Sequence, residues 1–243
     1  MTRIGIITQA RMTSSRLPGK VLMRAGGRSM LDHHIDRLLP AGLPIILATT
    51  TNAADDPLAA LGRARGFDVF RGSEDDVLGR FAGAASNADL DVVVRVTSDC
   101  PLIDPALISE GVRRFLELDD PDAHVSNVIE RTFPRGFDFE VFSAAALAEA
   151  DRNADQPLER EHVTPYLYAN RSGRTSVHSV AQDVDASRYR VTLDTEEDLT
   201  LIRELIEVHG AAALNASEIV AVLEAHPALA AINAQIEQKK LGD

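Results

Sequence analysis

Apolar positions along this chain fall into two patterns that take turns. Short β-branched runs at 3–8, 44–49, 68–70, 91–96 and 124–128 read as strands. The longer stretches between them, at 29–39, 55–66, 75–86 and 105–116, read as helices. Strands alternating with helices of this length predict βαβ units and a mostly parallel sheet. The runs IILATT and DVVVRVT are apolar at consecutive positions, as central strands covered on both faces require.

Beyond residue 129 the pattern changes. Runs at 137–142 and 175–180 suit strands of an antiparallel or mixed extension, and 143–151 and 158–170 suit helices. A further short strand is expected at 189–193, then an amphipathic helix at 195–209 that stops before Gly210. Helices at 217–225 and 227–240 close the chain. With no internal repeat or long linker, one compact α/β domain is expected. Within it, 129–190 is a candidate substrate-side subdomain and 210–243 holds the terminal helices.

Charge narrows the choice of partners. The 243 residues carry 25 Lys and Arg against 37 Asp and Glu, a net charge of −12. Such a surface repels nucleic acid and anionic membrane, so neither is expected as a partner. Cations that do cluster, as they do from Arg11 to Arg28, are informative for that reason. The single cysteine, Cys100, permits no internal disulfide and fits a reducing, cytoplasmic setting. No run approaches the ~20 apolar residues of a membrane span, and the N-terminal apolar run is too short for a signal peptide.

Three segments carry candidate chemistry. QARMTSSRLPGK, at 9–20, follows the first strand and brings together Arg11, Ser15, Arg16 and Lys20 around a Pro-Gly turn. Cations, hydroxyls and loop amides at the carboxyl end of a first strand suit a polyanion such as a triphosphate. This is not the glycine-rich GxxxxGK[ST] loop, because Val21 follows Lys20. A solvated basic turn is the alternative. TSDCPLIDP, at 97–105, puts Asp99 at the end of the central strand, where a carboxylate can hold Mg²⁺. Asp104, before Pro105, reads as a helix cap, and Cys100 as packing rather than a nucleophile. In VTLDTEEDL, at 191–199, Thr195 and Asp198 form a capping box; Asp194 precedes it and is a second candidate metal carboxylate.

Weaker candidates follow. Ser73 is placed to cap a helix in FRGSEDDVLGRF. Arg135, Asp138 and Glu140 surround a glycine in FPRGFDFEVF, the last two on one strand face. Arg160 and His162 lie in LEREHVTPYLY, where Pro165 interrupts a helical pattern. His33 and His34 read as an exposed helix face.

Taken together, in this order and spacing, QARMTSSRLPGK, DCPLIDP and LDTEEDL resemble the CMP-sugar synthetase (cytidylyltransferase) family, which includes the 3-deoxy-octulosonate and acylneuraminate cytidylyltransferases. FRGSEDDVLGRF, PRGFDFEVF, EREHVTPYLY and the tail INAQIEQKK are similar to its spore-coat polysaccharide branch. The resemblance implies a nucleotide-diphospho-sugar transferase (GT-A-like) fold: a three-layer αβα sandwich on a mixed, mostly parallel sheet. It also implies CTP and an acidic keto-sugar as substrates, Mg²⁺ as cofactor, and a homodimer, since members often pair. Arg11, Ser15, Arg16 and Lys20 would hold the triphosphate, and Asp99 and Asp194 the metal. Arg135, Asp138, Glu140, Arg160 and His162 are candidates on the sugar side. Cys100 stands where octulosonate synthetases usually have an acid, and their sugar contacts do not map cleanly here. A glycosyltransferase, another nucleotidyltransferase on this fold, or a non-catalytic nucleotide-binding protein are the alternatives.

Overall fold

A computed structural model describes residues 2–237. In chain order its strands and helices are β1 (Ile4–Gln9), β2 (Arg24–Ala25), β3 (Arg28–Ser29), α1 (Met30–Leu38), β4 (Ile45–Thr50), α2 (Asp56–Ala64), β5 (Asp68–Gly72), α3 (Val77–Asn87), β6 (Val92–Thr97), α4 (Pro105–Leu118), β7 (Ala123–Ser126), β8 (Glu140–Ser143), α5 (Ala144–Asn153), α6 (Pro157–His162), α7 (Pro165–Tyr168), β9 (Ser176–Ser179), α8 (Glu196–Glu207), α9 (Ala216–Ala225) and α10 (Pro227–Ala230).

Among the described residues one sheet has seven strands in the order β5-β4-β1-β6-β8-β7-β9, and β2 and β3 form a small hairpin. β1 pairs in parallel with β4 on one side and with β6 on the other, whereas β8 runs antiparallel to both β6 and β7. Alternate residues feed opposite faces. Ile6, Val94 and Val141 pack with Ile108 and Phe115 of α4 and Leu38 of α1. Leu47 meets Leu31, Ile35 and Leu58 of α1 and α2 on that same face. Ile7, Ile46, Val93 and Phe142 point the other way, into α3 and α5. The result is the three-layer αβα sandwich with a mixed, mostly parallel sheet. A further apolar cluster joins the β2–β3 hairpin to α8 and α9, with Leu17, Phe137, Leu193, Ile202 and Leu205 inside it.

The order of strands positions the site. From β1 the chain moves outward to β4 and β5, then returns across α3 to β6 on the other side of β1. The carboxyl ends of β1 and β6 therefore diverge into a crevice, the usual ligand position in such sheets. Ser98, just past β6, closes the floor of that crevice by donating from its amide and hydroxyl to the Gln9 carbonyl, at 3.1 and 2.6 Å.

Several expected elements differ. Residues 189–193 make no ladder strand; only an isolated bridge pairs Arg190 with Arg135. The stretch 158–170 breaks at Val163, whose φ of 71° ends α6 two residues before Pro165. α3 starts later than expected because Asp76, not Ser73, caps it by accepting from the Gly79 amide. α10 stops at Ala230, and 238–240 of the expected terminal helix lie outside the described residues. His33 and His34 are buried, not exposed: the His33 ring bonds the Ala25 carbonyl, and His34 lies between Thr8 and Cys100.

Candidate active site

The loop 10–19 has no regular structure, so other contacts must hold it. The Met12 amide donates to Asp55 at 2.7 Å, and the Gly19 amide returns to the Met12 carbonyl at 2.9 Å. Gly19 adopts φ 70°, a conformation that costs a residue with a Cβ about 1 kcal/mol or more. Leu17 and Val21 bury themselves on either side of it. With those anchors fixed, Lys20 emerges at the first position of a short 3₁₀ turn with its ammonium over the crevice.

That ammonium meets two carboxylates at once: Asp99 at 3.1 Å and Asp194 at 2.7 Å. They come from residues 79 and 174 positions away. Asp194 also accepts from Arg16 at 3.0 Å and Arg190 at 2.9 Å. Burial alone would lower the Lys20 pKa, but the Asp99 and Asp194 charges outweigh it and the net shift is upward. Burial likewise opposes the charge on Asp99, yet Lys20 and the Thr97 hydroxyl bring its pKa down to about 2. Both groups are therefore charged at neutral pH. Leu193 and Thr192 donate to the Asp99 carbonyl at 2.8 and 3.1 Å, which ties the two acidic segments together. Burial beside Asp99 pushes the Cys100 thiol well up, so it stays protonated and unreactive.

These groups sit at the head of a cleft of about 940 Å³. Arg11, Ser14, Ser15, Arg16 and Lys20 line one side, and Arg80, Arg135, Gln156, Glu161 and His162 reach it from other elements. Gly136 places Arg135: at φ 109°, a Cβ there would lie 2.6 Å from the Val191 carbonyl carbon, so only glycine lets the two backbones run this close. The Arg135 guanidinium makes no hydrogen bond or ion pair among the described residues. His162 is pushed below its ordinary pKa by burial. Gln9 Oε1 and Arg80 Nε, both on residues of the cleft wall, are buried atoms with no partner among the described residues.

Of the residues singled out in the sequence, Arg11, Ser15, Arg16, Lys20, Asp99, Asp194, Arg135 and His162 line this one cleft. The others lie off its wall. Glu140 is buried in a pair with Arg95 and accepts from His124 at 3.2 Å; despite opposing burial, Arg95 and His124 bring its pKa down to about 2. Asp138 is gripped by both Arg131 nitrogens at 2.7 and 2.9 Å. Arg160 is saturated by Asp76 and Asp151 and braces α6 against α3 and α5. Glu140, Asp138 and Arg160 are thus engaged in packing and bracing pairs outside the lining of the cleft. Asp104 caps α4 as expected, and its second oxygen accepts from the Ala216 amide at the start of α9. Gln156 and Glu161 were missed. Ser14 belonged to the hydroxyl-rich loop without being singled out, and Arg80 left a trace as a cation on the buried stripe of Val77, Leu78, Phe81 and Ala84.

Comparison with known proteins points the same way as the geometry. A family model described as Cytidylyltransferase matches residues 4–226. Uncharacterized protein MJ1063 of Methanocaldococcus jannaschii is 36% identical over 242 residues, 98% of this chain and 97% of that one. The spore coat polysaccharide biosynthesis protein SpsF of Bacillus subtilis is 32% identical, over 93% of this chain and 96% of its own. A 3-deoxy-manno-octulosonate cytidylyltransferase of Solibacter usitatus is 32% identical over 68% of this chain and 70% of its own. Among solved structures, a cytidylyltransferase from Leptospira borgpetersenii superposes with a TM-score of 0.88 at 30% identity, across 99% of this chain and 100% of that one. The chain belongs to the cytidylyltransferase family and is a nucleotidyltransferase.

Proposed function

We propose that this enzyme transfers CMP from CTP to an acidic keto-sugar, releasing pyrophosphate, in the synthesis of a surface polysaccharide. The observation that carries the reading is the Lys20 ammonium held between Asp99 and Asp194 beside a loop rich in cations and hydroxyls. A polyphosphate supplies the anionic oxygens that such a loop is built to hold. The names of the Bacillus and Solibacter relatives fit the sugar side of the reading.

In this reading a sugar hydroxyl attacks the α-phosphorus of CTP. The new oxygen–phosphorus bond forms as the bond to the β-phosphate oxygen breaks, pyrophosphate leaves, and the hydroxyl's proton passes to water in the open cleft. Transfers of this kind are accelerated mainly by positioning and charge stabilisation. Lys20 and Arg16 take up the charge that develops on pyrophosphate, while Arg11 and the Ser15 hydroxyl orient the phosphate chain. Arg135, half-buried and in no ion pair among the described residues, receives the sugar's carboxylate. His162, neutral because it is buried, can hydrogen-bond the sugar's hydroxyls.

The residues present fit a Mg²⁺ ion. Two hard carboxylate ligands already share one cation position, and Mg²⁺ commonly takes one or two carboxylates and completes its shell with phosphate and water. Asp99 and Asp194 would hold it. When bound, it supplies positive charge and Lewis acidity at the phosphates.

To test the reading, the protein is incubated with Mg²⁺, each nucleoside triphosphate in turn, and a panel of keto-acid and neutral sugars, and pyrophosphate is assayed. Release is expected only with CTP and a keto-acid. Arg135→Ala should raise the KM for that sugar at least tenfold and leave the KM for CTP within about twofold. Pyrophosphate from a neutral sugar, or from none in a folded sample, would sink the proposal.

A further inference from the structure

The segment after α10 belongs to the INAQIEQKK tail, a motif that the cleft itself does not use. Its Asn233 is nonetheless buried, at 3% exposure. Its amide donates to two acceptors, the Arg190 carbonyl at 3.1 Å and Asp198 Oδ1 at 2.8 Å. Asp198 is fully buried, and a buried carboxylate is tolerated only where its lone pairs are filled. Filling them are Asn233, the Arg190 guanidinium at 2.9 and 3.0 Å, and the amides of Asp194 and Thr195 at 2.9 and 3.1 Å.

Asp198 therefore fixes the backbone of Asp194, and Arg190 fixes its side chain by donating to Oδ2 at 2.9 Å. The other oxygen of Asp194 meets Lys20. The contacts run without a gap from the tail to the head of the cleft: Asn233 to Arg190 and Asp198, these to Asp194, and Asp194 to Lys20. A small cavity of about 90 Å³ lies alongside, lined by Arg135, Arg190, Leu201, Leu223, Asn233 and Ile236, and Arg135 borders both it and the cleft.

We propose that Asn233 is a positioning residue for nucleotidyl transfer, acting through Arg190 and Asp198 to hold Asp194 in register with Lys20. The proposal rests on the reading above that Asp194 belongs to the working site. It turns the tail from a cover for α8 into part of the catalytic apparatus, without any contact to substrate.

The test measures kcat and KM for CTP by pyrophosphate release, CTP affinity by calorimetry, and thermal stability. The proteins compared are wild type, Asn233→Ala, Ile236→Ala, Asp194→Asn and the Asn233→Ala/Asp194→Asn double variant. Supporting partners of this kind typically change affinity or activity 10–100-fold, so Asn233→Ala should lower kcat/KM about tenfold. Ile236→Ala loosens the same segment but keeps the amide; its kinetics should stay within twofold. In the double variant, CTP affinity should match Asp194→Asn alone, because both changes act on one unit. If Asn233→Ala does not fold, Asn233→Ser keeps one donor and should give a smaller loss in the same direction. Two outcomes would overturn the proposal: a folded Asn233→Ala or Asn233→Ser with wild-type kinetics, or a double variant in which the effects add in full. If Asp194→Asn itself turns over at the wild-type rate, the site assignment fails first.

Discussion

At the scale of single residues, the arrangement around Lys20 is unequal, and the inequality sets what each substitution should do. Asp194 has three cationic partners, Lys20, Arg16 and Arg190, whereas Asp99 has an ion pair with Lys20 only among the described residues. Removing Arg16 leaves Asp194 with two partners. Removing Lys20 leaves the half-buried Asp99 without its cation, and also removes the charge proposed to face the leaving pyrophosphate. Lys20→Met, which keeps the length of the side chain, should therefore cost about 10²–10³ in kcat, the range found for deleting one preorganised charge-stabilising group. Arg16→Ala should cost distinctly less. Steady-state pyrophosphate release on the two variants, with circular dichroism to check folding, measures the order; equal losses would argue against the asymmetry.

At the scale of elements, the sheet depends on close approaches that a glycine permits. α4 lies against β8 at Gly111, where a Cβ would fall 2.1 Å from Cε2 of Phe139, a buried ring. The ring has no free space to enter, so Gly111→Ala must push the helix off the sheet. Overpacking of this kind costs about 1–3 kcal/mol, which a shift in the urea midpoint would register. The same elements show what the sequence made legible. β4 and β6 were readable because strands covered on both faces need consecutive apolar residues, and few other elements do. Tyr189 to Leu193 looked equally strand-like. There the backbone changes partner within a few residues: Arg135 donates to Tyr189 and Val191 donates back, but Leu193 donates to Asp99, so no ladder forms. Val163 gave no warning at all, since a β-branched residue at positive φ runs against its local preference and is imposed by packing. For the cleft, loop cations and strand-end acids were legible because chain order puts them at one sheet edge. Which of Arg135, Asp138, Glu140 and Arg160 faces the cleft was not, because Asp138, Glu140 and Arg160 are each drawn off by an arginine or aspartate that the local pattern does not single out: Arg131, Arg95 and Asp76.

At the scale of the whole molecule, buried ionisable groups make stability depend on pH in a definite sequence of steps. His34 comes first. Its Nδ1 faces the Cys100 carbonyl, which can only accept, so Nδ1 carries the proton and Nε2 accepts from the Thr8 hydroxyl. Burial holds its pKa at about 4 against an ordinary 6.5. The unfolded chain therefore takes up this proton between pH 6.5 and 4 while the native state does not, and stability falls as pH falls through that window. A difference of this size corresponds to about 3 kcal/mol. Asp99 and Glu140 follow. Both are held at about 2 when folded, so their contribution is complete above their ordinary values of 3.8 and 4.5 and is lost as pH drops toward 2. Acid unfolding should thus begin while both carboxylates are still fully charged. Urea denaturation at pH 7, 5.5 and 4.5 checks this: the wild type should lose stability at each step, and His34→Gln, which cannot titrate, should lose much less over the same interval. An equal slope in the two proteins would place the sensitivity elsewhere. The site itself should register protonation only near pH 4, where native His34 takes up its proton: that removes the acceptor for Thr8 at the end of β1 and puts a charge beside the carbonyl of Cys100, next to Asp99.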